Sequence, residues 1–578
     1  MGQIRQYKKD SILTPLFATG EVIMEVLIPL VMASIIDDGI TAGNLNHIYV
    51  YGGIMALMAV CSLIFGLLAG KYAASASSGF ACNLRDAMFT NIQTFSFSNI
   101  DKYSTAGLVT RLTTDVTNLQ NAYQMILRIF VRGLLSFICA LIMAVFISPR
   151  LSIVFLVAIV ILATALTIII THATGAFRRV FRKYDDLNAS VQENVSAIRV
   201  VKAYVREDYE NKKFSKAAEN VYKLFVKAES FVVMNNPMMM LCVYACIIAI
   251  SWLGAQMIVV GDLTTGELTS FFTYVMNILS SLMMISMVFV MITMSLASAE
   301  RISEVINEEA DLTNPENPDY ELKDGSIDFE NVDFAYRSGT GENVLSGINI
   351  HIDAGETIGI IGGTGSSKSS FVNLISRLYD VTGGEVKVGG KNVKDYDLTV
   401  LRDNVSVVLQ KNVLFSGTIL DNLRWGDADA SDEECIRACR LACADSFIEQ
   451  MPDKYNTYIE QGGTNVSGGQ KQRLCIARAL MKKPKVLVLD DSTSAVDTAT
   501  DAKIRESFRN EIPGTTKLII AQRISSVQDA DRIIVLDDGR INGFDTHENL
   551  LKTNDIYREV YESQINGIGD FDRTGGAL

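Results

Sequence analysis

The 578 residues include only nine cysteines, and these build no disulfide framework. Cys61, Cys139, Cys242 and Cys246 lie inside apolar runs, and the short loops joining those runs contain none. Cys435, Cys439 and Cys443 repeat at helical spacing, but no histidine or further cysteine cluster accompanies them. They read as one face of a buried helix, not as a metal site. Positive charge is also scarce: the net charge of -13 argues against nucleic acid as a partner. The first apolar run lacks a small-residue cleavage site and is too long for a signal peptide.

What is present falls into two unlike parts, and the length suggests two or three domains. Six apolar stretches, at about 12–36, 48–70, 125–148, 151–172, 235–260 and 268–297, each reach the ~20 residues needed to cross a bilayer. Arg5, Lys8 and Lys9 precede the first, and the stretch 172–235 holds twelve Lys and Arg. The loops 37–47 and 261–267 hold none, and the turn at 148–150 only Arg150. Both chain ends are therefore expected in the cytoplasm. The two inside connections, about 71–124 and 173–234, are long and helix-patterned. Their turns, near Ser104–Val116 and Ser190–Ile198, are expected to present short segments to a cytoplasmic domain.

Glu21 and Glu25 sit one helical turn apart inside the first apolar run. Facing lipid, each would cost roughly 2.5–3.5 kcal/mol or more, so they must face an aqueous cavity or a partner helix. Either a cation-attracting patch in a transport pathway or a structural bond between helices satisfies that requirement. The last two spans carry eleven methionines between Met234 and Met294, a soft lining suited to varied apolar ligands and equally to plain packing.

After the acidic, proline-containing stretch Glu308–Lys323 the pattern changes to that of a charged α/β domain. A buried-strand pattern, Glu356–Ile361, leads into Gly362-Gly363-Thr364-Gly365-Ser366-Ser367-Lys368-Ser369-Ser370 and then a helix. Strand, glycine-rich loop and a helix start bearing Lys-Ser make a phosphate cradle for ATP. Backbone N–H groups meet the phosphates, Lys368 reaches the outer ones, and Ser369 can hold Mg2+. Ser367 stands where the strict pattern has glycine. Downstream, the hydrophobic strand Lys485–Leu489 ends in Asp490, a carboxylate placed for Mg2+. Val466-Ser467-Gly468-Gly469-Gln470 makes a second anion-binding helix start. Two such starts on one domain cannot readily share one ATP, so the second is expected to face a nucleotide on another copy of the domain.

With these motifs together, the chain resembles a half-transporter of the ATP-binding cassette (ABC) superfamily, exporter type, over essentially its whole length. The resemblance implies an all-α six-helix membrane domain of type IV exporter character fused to a cytoplasmic α/β nucleotide-binding domain. The expected bounds are 1–308 for the membrane domain, 309–323 for a linker, 324–565 for the cassette and 566–578 for a flexible tail. By matching motif, Tyr336 would stack on adenine, and Gln410 would sense Mg2+ and contact the membrane domain. Ser467, Gly468, Gly469 and Gln470 would form the signature loop, and Asp497 would lie in the loop between the two sites of a dimer.

Two departures from the family pattern fall at the places that cut the phosphate. Asp491 follows Asp490 where the resemblance calls for glutamate, and Gln522 stands at the switch-histidine position. The shorter carboxylate and the neutral amide imply a site that binds ATP and hydrolyses it slowly. A signature loop that is intact apart from Val466 in place of leucine is useful only against a competent partner. The expectation is a heterodimer with a second half-transporter bearing Glu and His, similar to asymmetric bacterial multidrug exporters, including the stretch Gln461–Val496. It would sit in the bacterial cell membrane among lipid and move small amphipathic compounds. Alternatives are a lipid or peptide exporter and an ATP-gated channel or regulatory subunit. An importer is disfavoured by the fused motor.

Overall fold

The computed structural model describes residues 2–336 and 343–565, so the expected tail at 566–578 lies outside the described residues. Within the helices eight side chains, Met294 among them, are likewise outside the description. The chain divides into two compact units: the first runs to Gln93 and resumes over Thr105–Glu308, and the second is Thr94–Ser104 with Glu309 onward.

Among the described residues, six helices are long and apolar enough to cross a membrane: Gly2–Thr41, Leu45–Thr94, Thr105–Ile147, Pro149–Phe177, Glu207–Val260 and Thr265–Asn307. Local chemistry sets their ends. Ser148 caps the helix beginning at Pro149 by accepting from the Leu151 N–H, and proline at the first position has no donor to lose. Gly261, at φ +88°, ends the helix Asn235–Val260. Thr264 and Glu267 then close a capping box on the next helix. Asp37 ties that start to the first span, accepting from Thr264 Oγ1 at 2.6 Å and from the Gly266 N–H at 2.9 Å. Gly266 is obligatory there, because a Cβ would lie 2.4 Å from the Ala33 carbonyl. Between the helices Phe155 stacks on Phe271 at 5.6 Å, and the buried Tyr274 hydroxyl donates to the Val26 carbonyl at 2.8 Å.

The turns of the two long helical connections fall elsewhere than expected. Residues 94–104, read from sequence as part of the six-span half, pack within the second unit around the short helix Phe97–Lys102. Thr105–Asp115 belongs to the first unit. The other long helix runs on to Ser196, and the chain reverses over 197–206, with Val205 at φ +51°. Hydrophobic periodicity fixes helix faces but not the residue at which a long helix turns back, hence the shift of several residues in both places.

Among its described residues the second unit is built on three sheets. β1 (Ile327–Phe334), β2 (Leu345–Ile352), β4 (Gly383–Val388) and β5 (Lys391–Asn392) form a four-stranded antiparallel sheet in the order β2-β1-β4-β5. β3 (Thr357–Ile361), β6 (Val405–Val408), β9 (Val486–Asp490), β10 (Thr516–Ile520), β11 (Arg532–Asp537) and β12 (Arg540–Asp545) form the central sheet, in the order β12-β11-β3-β10-β9-β6. It is parallel except for the edge pair β11–β12. β7 (Gly417–Thr418) and β8 (Tyr458–Ile459) make a small pair. β9 and β10 are buried at every residue, as strands covered on both faces must be. Cys435 and Cys439 are buried on one helix, as their spacing indicates, and burial pushes their thiol pKa values up.

Candidate functional site

The register of the central sheet places its loops. Ile520 pairs with both Ile360 and Asp490, and Val408 with Leu489, so the chain leaves β3, β10, β9 and β6 at one edge. Ligands of open α/β sheets gather at this carboxyl edge. The exits carry Gly362, Gln522, Asp490 with Asp491, and Gln410, four segments far apart in sequence.

The glycine-rich loop is shaped by its backbone. A Cβ on Gly362 would lie 2.2 Å from the Leu536 carbonyl, and Gly365 sits at φ +87°. Ser367 also adopts a left-handed conformation, at φ +71°, which explains why the strict pattern has glycine there. The helix Lys368–Ile375 follows, held to the antiparallel sheet by Phe371 stacked on Phe329 at 4.3 Å. Lys368 Nζ curls back over the loop, donating to the carbonyls of Gly362 at 2.9 Å and Gly363 at 2.8 Å. Tyr336 joins its hydroxyl to Ser370 Oγ at 2.8 Å and leaves its ring half exposed.

Asp490 is 4% exposed. Burial raises its pKa, against the lowering by a hydrogen bond from Ser369 and by the Lys368 charge. Asp491 is also raised, first by burial and then by the neighbouring Asp490 carboxylate, with a Gln410 hydrogen bond opposing. A buried carboxylate bonded to a serine hydroxyl fits a hard divalent cation, so Ser369 and Asp490 would hold Mg2+, which supplies charge neutralisation to the phosphates when bound. Gln522 Nε2 donates to Asp491 Oδ2 at 3.1 Å, bringing these two departures from the family pattern into direct contact.

The loop Ser467–Gln470 caps the helix Gly468–Leu480. Ser467 Oγ accepts from the Gln470 N–H at 3.3 Å, and the Gln470 side chain accepts from the Ser467 N–H at 2.9 Å. Gly468 and Gly469 lie against the loop after Asp491; a Cβ on Gly469 would stand 2.7 Å from the Ala495 carbonyl. Asp497, exposed, caps the helix Thr498–Glu511 through the Thr500 N–H, and that bond lowers its pKa.

Three partners escaped sequence reading. Gln472, 6% exposed, donates to Ser494 Oγ at 3.2 Å and accepts from the Ala495 N–H at 3.0 Å, locking the helix Gly468–Leu480 to the loop beside Asp491. Gln564, in the C-terminal helix, accepts from the Ile524 N–H at 2.9 Å and donates to the Gln522 carbonyl at 3.0 Å. In the first unit, Arg132 lies 3.3 Å from Glu21 and 2.6 Å from Glu25, so the two carboxylates face a partner helix. Gly66 admits this arrangement, since its Cβ would lie 3.0 Å from Glu21 Oε1. Two arginines inside the third apolar run, Arg128 and Arg132, were the available signal for this pairing; nothing in the sequence marks Gln472 or Gln564.

Residues 11–300 match the ABC transporter transmembrane region family, and residues 345–494 match the ABC transporter family. An ABC transporter ATP-binding protein of Bacillus subtilis, YfiB, is 37% identical over 94% of each chain. A second such protein, from Mycobacterium tuberculosis, is 35% identical over 98% of each. The fold is shared with a bacterial Atm1-family ABC exporter whose structure has ATP bound. That similarity has a TM-score of 0.81 at 24% identity and covers 97% of this chain and 98% of the other. With both parts of the chain matched and relatives at this identity covered almost end to end, the chain belongs to the ABC transporter family, which couples ATP hydrolysis to transport across a membrane, and it has the fold of an ABC exporter.

Proposed function

We propose that this chain is the slow-site subunit of a heterodimeric exporter of small amphipathic compounds. The observation that carries the reading is the Asp491–Gln522 contact at 3.1 Å. A general base must reach the attacking water, and Asp491 is one methylene, roughly 1.5 Å, short of a glutamate. Misplacing a catalytic group by about that distance can cost ~100-fold in rate, and loss of general-base help typically ~10²–10⁴-fold. The partner of Asp491 at the switch position is an amide, which cannot carry the charge of an imidazolium.

In this reading Tyr336 is the base platform, and the loop from Gly362 to Ser370 cradles the phosphates with Lys368. Ser369, Gln410 and Asp490 serve Mg2+. Ser467 to Gln470, braced by Gln472, complete the ATP site of the partner, which supplies Glu and His and does most of the hydrolysis. The slow site holds ATP and keeps the two motors together. Both termini lie in the cytoplasm of a bacterial cell. The Met-rich last spans favour a permissive apolar cargo.

Steady-state ATPase activity of the chain purified alone in lipid tests this directly, beside Asp491→Glu with Gln522→His in one variant. A nearly silent native chain and a sharp rise in the double variant are expected. A native chain that turns over at the restored variant's rate would overturn the heterodimer and make a homodimeric exporter the better account.

A further inference from the structure

Residues Thr94–Ser104 pack with the second unit, and one of the side chains they meet there is a tyrosine. Tyr379 lies just after the helix Lys368–Ile375 that begins at the phosphate loop. Its hydroxyl donates to Asp101 Oδ2 at 2.6 Å, and Phe97 meets its ring edge-on at 6.0 Å. The same ring meets Tyr336 at 5.1 Å, with the two planes at 89°. Phe334 closes the cluster, 4.9 Å from Tyr336 and 5.8 Å from Tyr379. Burial, then the neighbouring Asp101, push the Tyr379 pKa up, so its hydroxyl stays a donor at neutral pH.

The segment has a second attachment of a different kind. Ser98 Oγ donates to Asp311 Oδ2 at 2.6 Å, and Asn99 Nδ2 donates to the Glu309 carbonyl at 3.0 Å. Ser96 and Asn99 close a capping box on the helix Phe97–Lys102. These bonds join the segment to the linker and contain nothing that a nucleotide touches. The Tyr379 contact, by its ring packing on Tyr336, runs toward the base platform.

We propose that Tyr379 is a positioning residue that carries adenine occupancy of Tyr336 into the Thr94–Ser104 segment. The proposal rests on Tyr336 being the base platform. A base stacked on the exposed face of Tyr336 fixes the plane of that ring. Perpendicular aromatic rings hold a preferred edge-to-face geometry, so fixing one restrains the other. A restrained Tyr379 ring keeps its hydroxyl on Asp101 and orders the segment. The segment continues on one side into the helix Leu45–Thr94 and on the other into Thr105–Ile147. Its order therefore bears on two membrane helices through the chain itself, and the signal depends on the base, not on the phosphates.

Hydrogen exchange on the full chain in lipid nanodiscs tests this, with Mg-ATP, with Mg-tripolyphosphate and without either. Mg-ATP is expected to slow exchange in peptides from 94–104 by about fivefold or more. Tripolyphosphate, which offers phosphates and no base, is expected to leave it unchanged. Tyr379→Phe keeps the ring, still binds ATP and loses the slowing; Asp101→Ala gives the same loss from the other side, so a folding defect in one variant does not decide the matter. Slowing by tripolyphosphate equal to that by ATP, or a native response in both variants, overturns the proposal. Tyr336→Ala binding ATP as tightly as the native chain would instead remove the platform reading beneath it.

Discussion

The side-chain amide of Gln522 donates to Asp491 Oδ2 at 3.1 Å, so the residues at the catalytic-glutamate and switch-histidine positions act on each other. Residues in direct contact couple by about 0.5–3 kcal/mol, whereas independent sites add. Asp491→Glu alone extends the carboxylate but leaves it bonded to a neutral amide, and Gln522→His alone supplies an imidazole to a short carboxylate. The gain in single-turnover hydrolysis from both changes is expected to exceed the product of the single gains. A product within experimental error of the double variant would show that the contact has no part in the rate of hydrolysis at this site.

Ser367 is held at φ +71° in the phosphate loop. The left-handed conformation costs an L-residue about 1–2 kcal/mol, partly offset in a glycine variant by about 0.5–1 kcal/mol of unfolded-state entropy. Ser367→Gly should therefore stabilise the second unit by about 0.5–1 kcal/mol and tighten ATP binding a few-fold. Thermal unfolding with and without ATP reads both effects, and a loss of stability would contradict the strain argument.

Gln564 bridges the backbone on either side of Arg523, accepting from Ile524 and donating to Gln522. Each such bond contributes about 0.5–1.5 kcal/mol net. Gln564→Ala is expected to loosen the switch loop. In the Asp491→Glu, Gln522→His background it should lower kcat while leaving the KM for ATP in place. Gln564→Glu, which keeps the acceptor and loses the donor, should fall between the two. An equal rise in KM would point to a general folding defect instead.

Arg132 serves two carboxylates, and Glu21 Oε2 is buried without a hydrogen-bond partner among the described residues. Arg132→Met leaves Glu21, only 7% exposed, without its cation. A destabilisation of about 2–3 kcal/mol is expected from the uncompensated charge. Adding Glu21→Gln and Glu25→Gln should recover much of it. Calorimetry in detergent decides this, and a triple variant no more stable than Arg132→Met would show that packing by the arginine stem, not charge, holds the helices.

Much of this architecture was legible in the chain alone. Bilayer thickness fixes span length, so six runs of about twenty apolar residues declare six spans without reference to any neighbour. The phosphate loop is equally local: Gly362 to Ser370 lie in one stretch whose glycines, lysine and helix start perform one task. The departures at Asp491 and Gln522 were visible for the same reason, since each adjoins a buried strand of unmistakable pattern.

Tertiary structure decided what depends on residues distant in sequence. That Asp491 bonds Gln522 follows from β9 and β10 being neighbours, a parallel pairing that neither strand specifies alone. The cation for Glu21 and Glu25 comes from Arg132, more than a hundred positions away, and only helix packing chooses it over water. Gln472 and Gln564 are ordinary glutamines by type and spacing; their work consists of satisfying backbone groups that exist only once the loops are folded. The sequence by itself determined the membrane spans and the ATP-binding chemistry, because hydrophobic length and phosphate-loop geometry are encoded within single segments. Only the fold decided which side chains are partners, because hydrogen bonds and ion pairs act over a few ångströms and the chain brings those atoms together only when its strands and helices have packed.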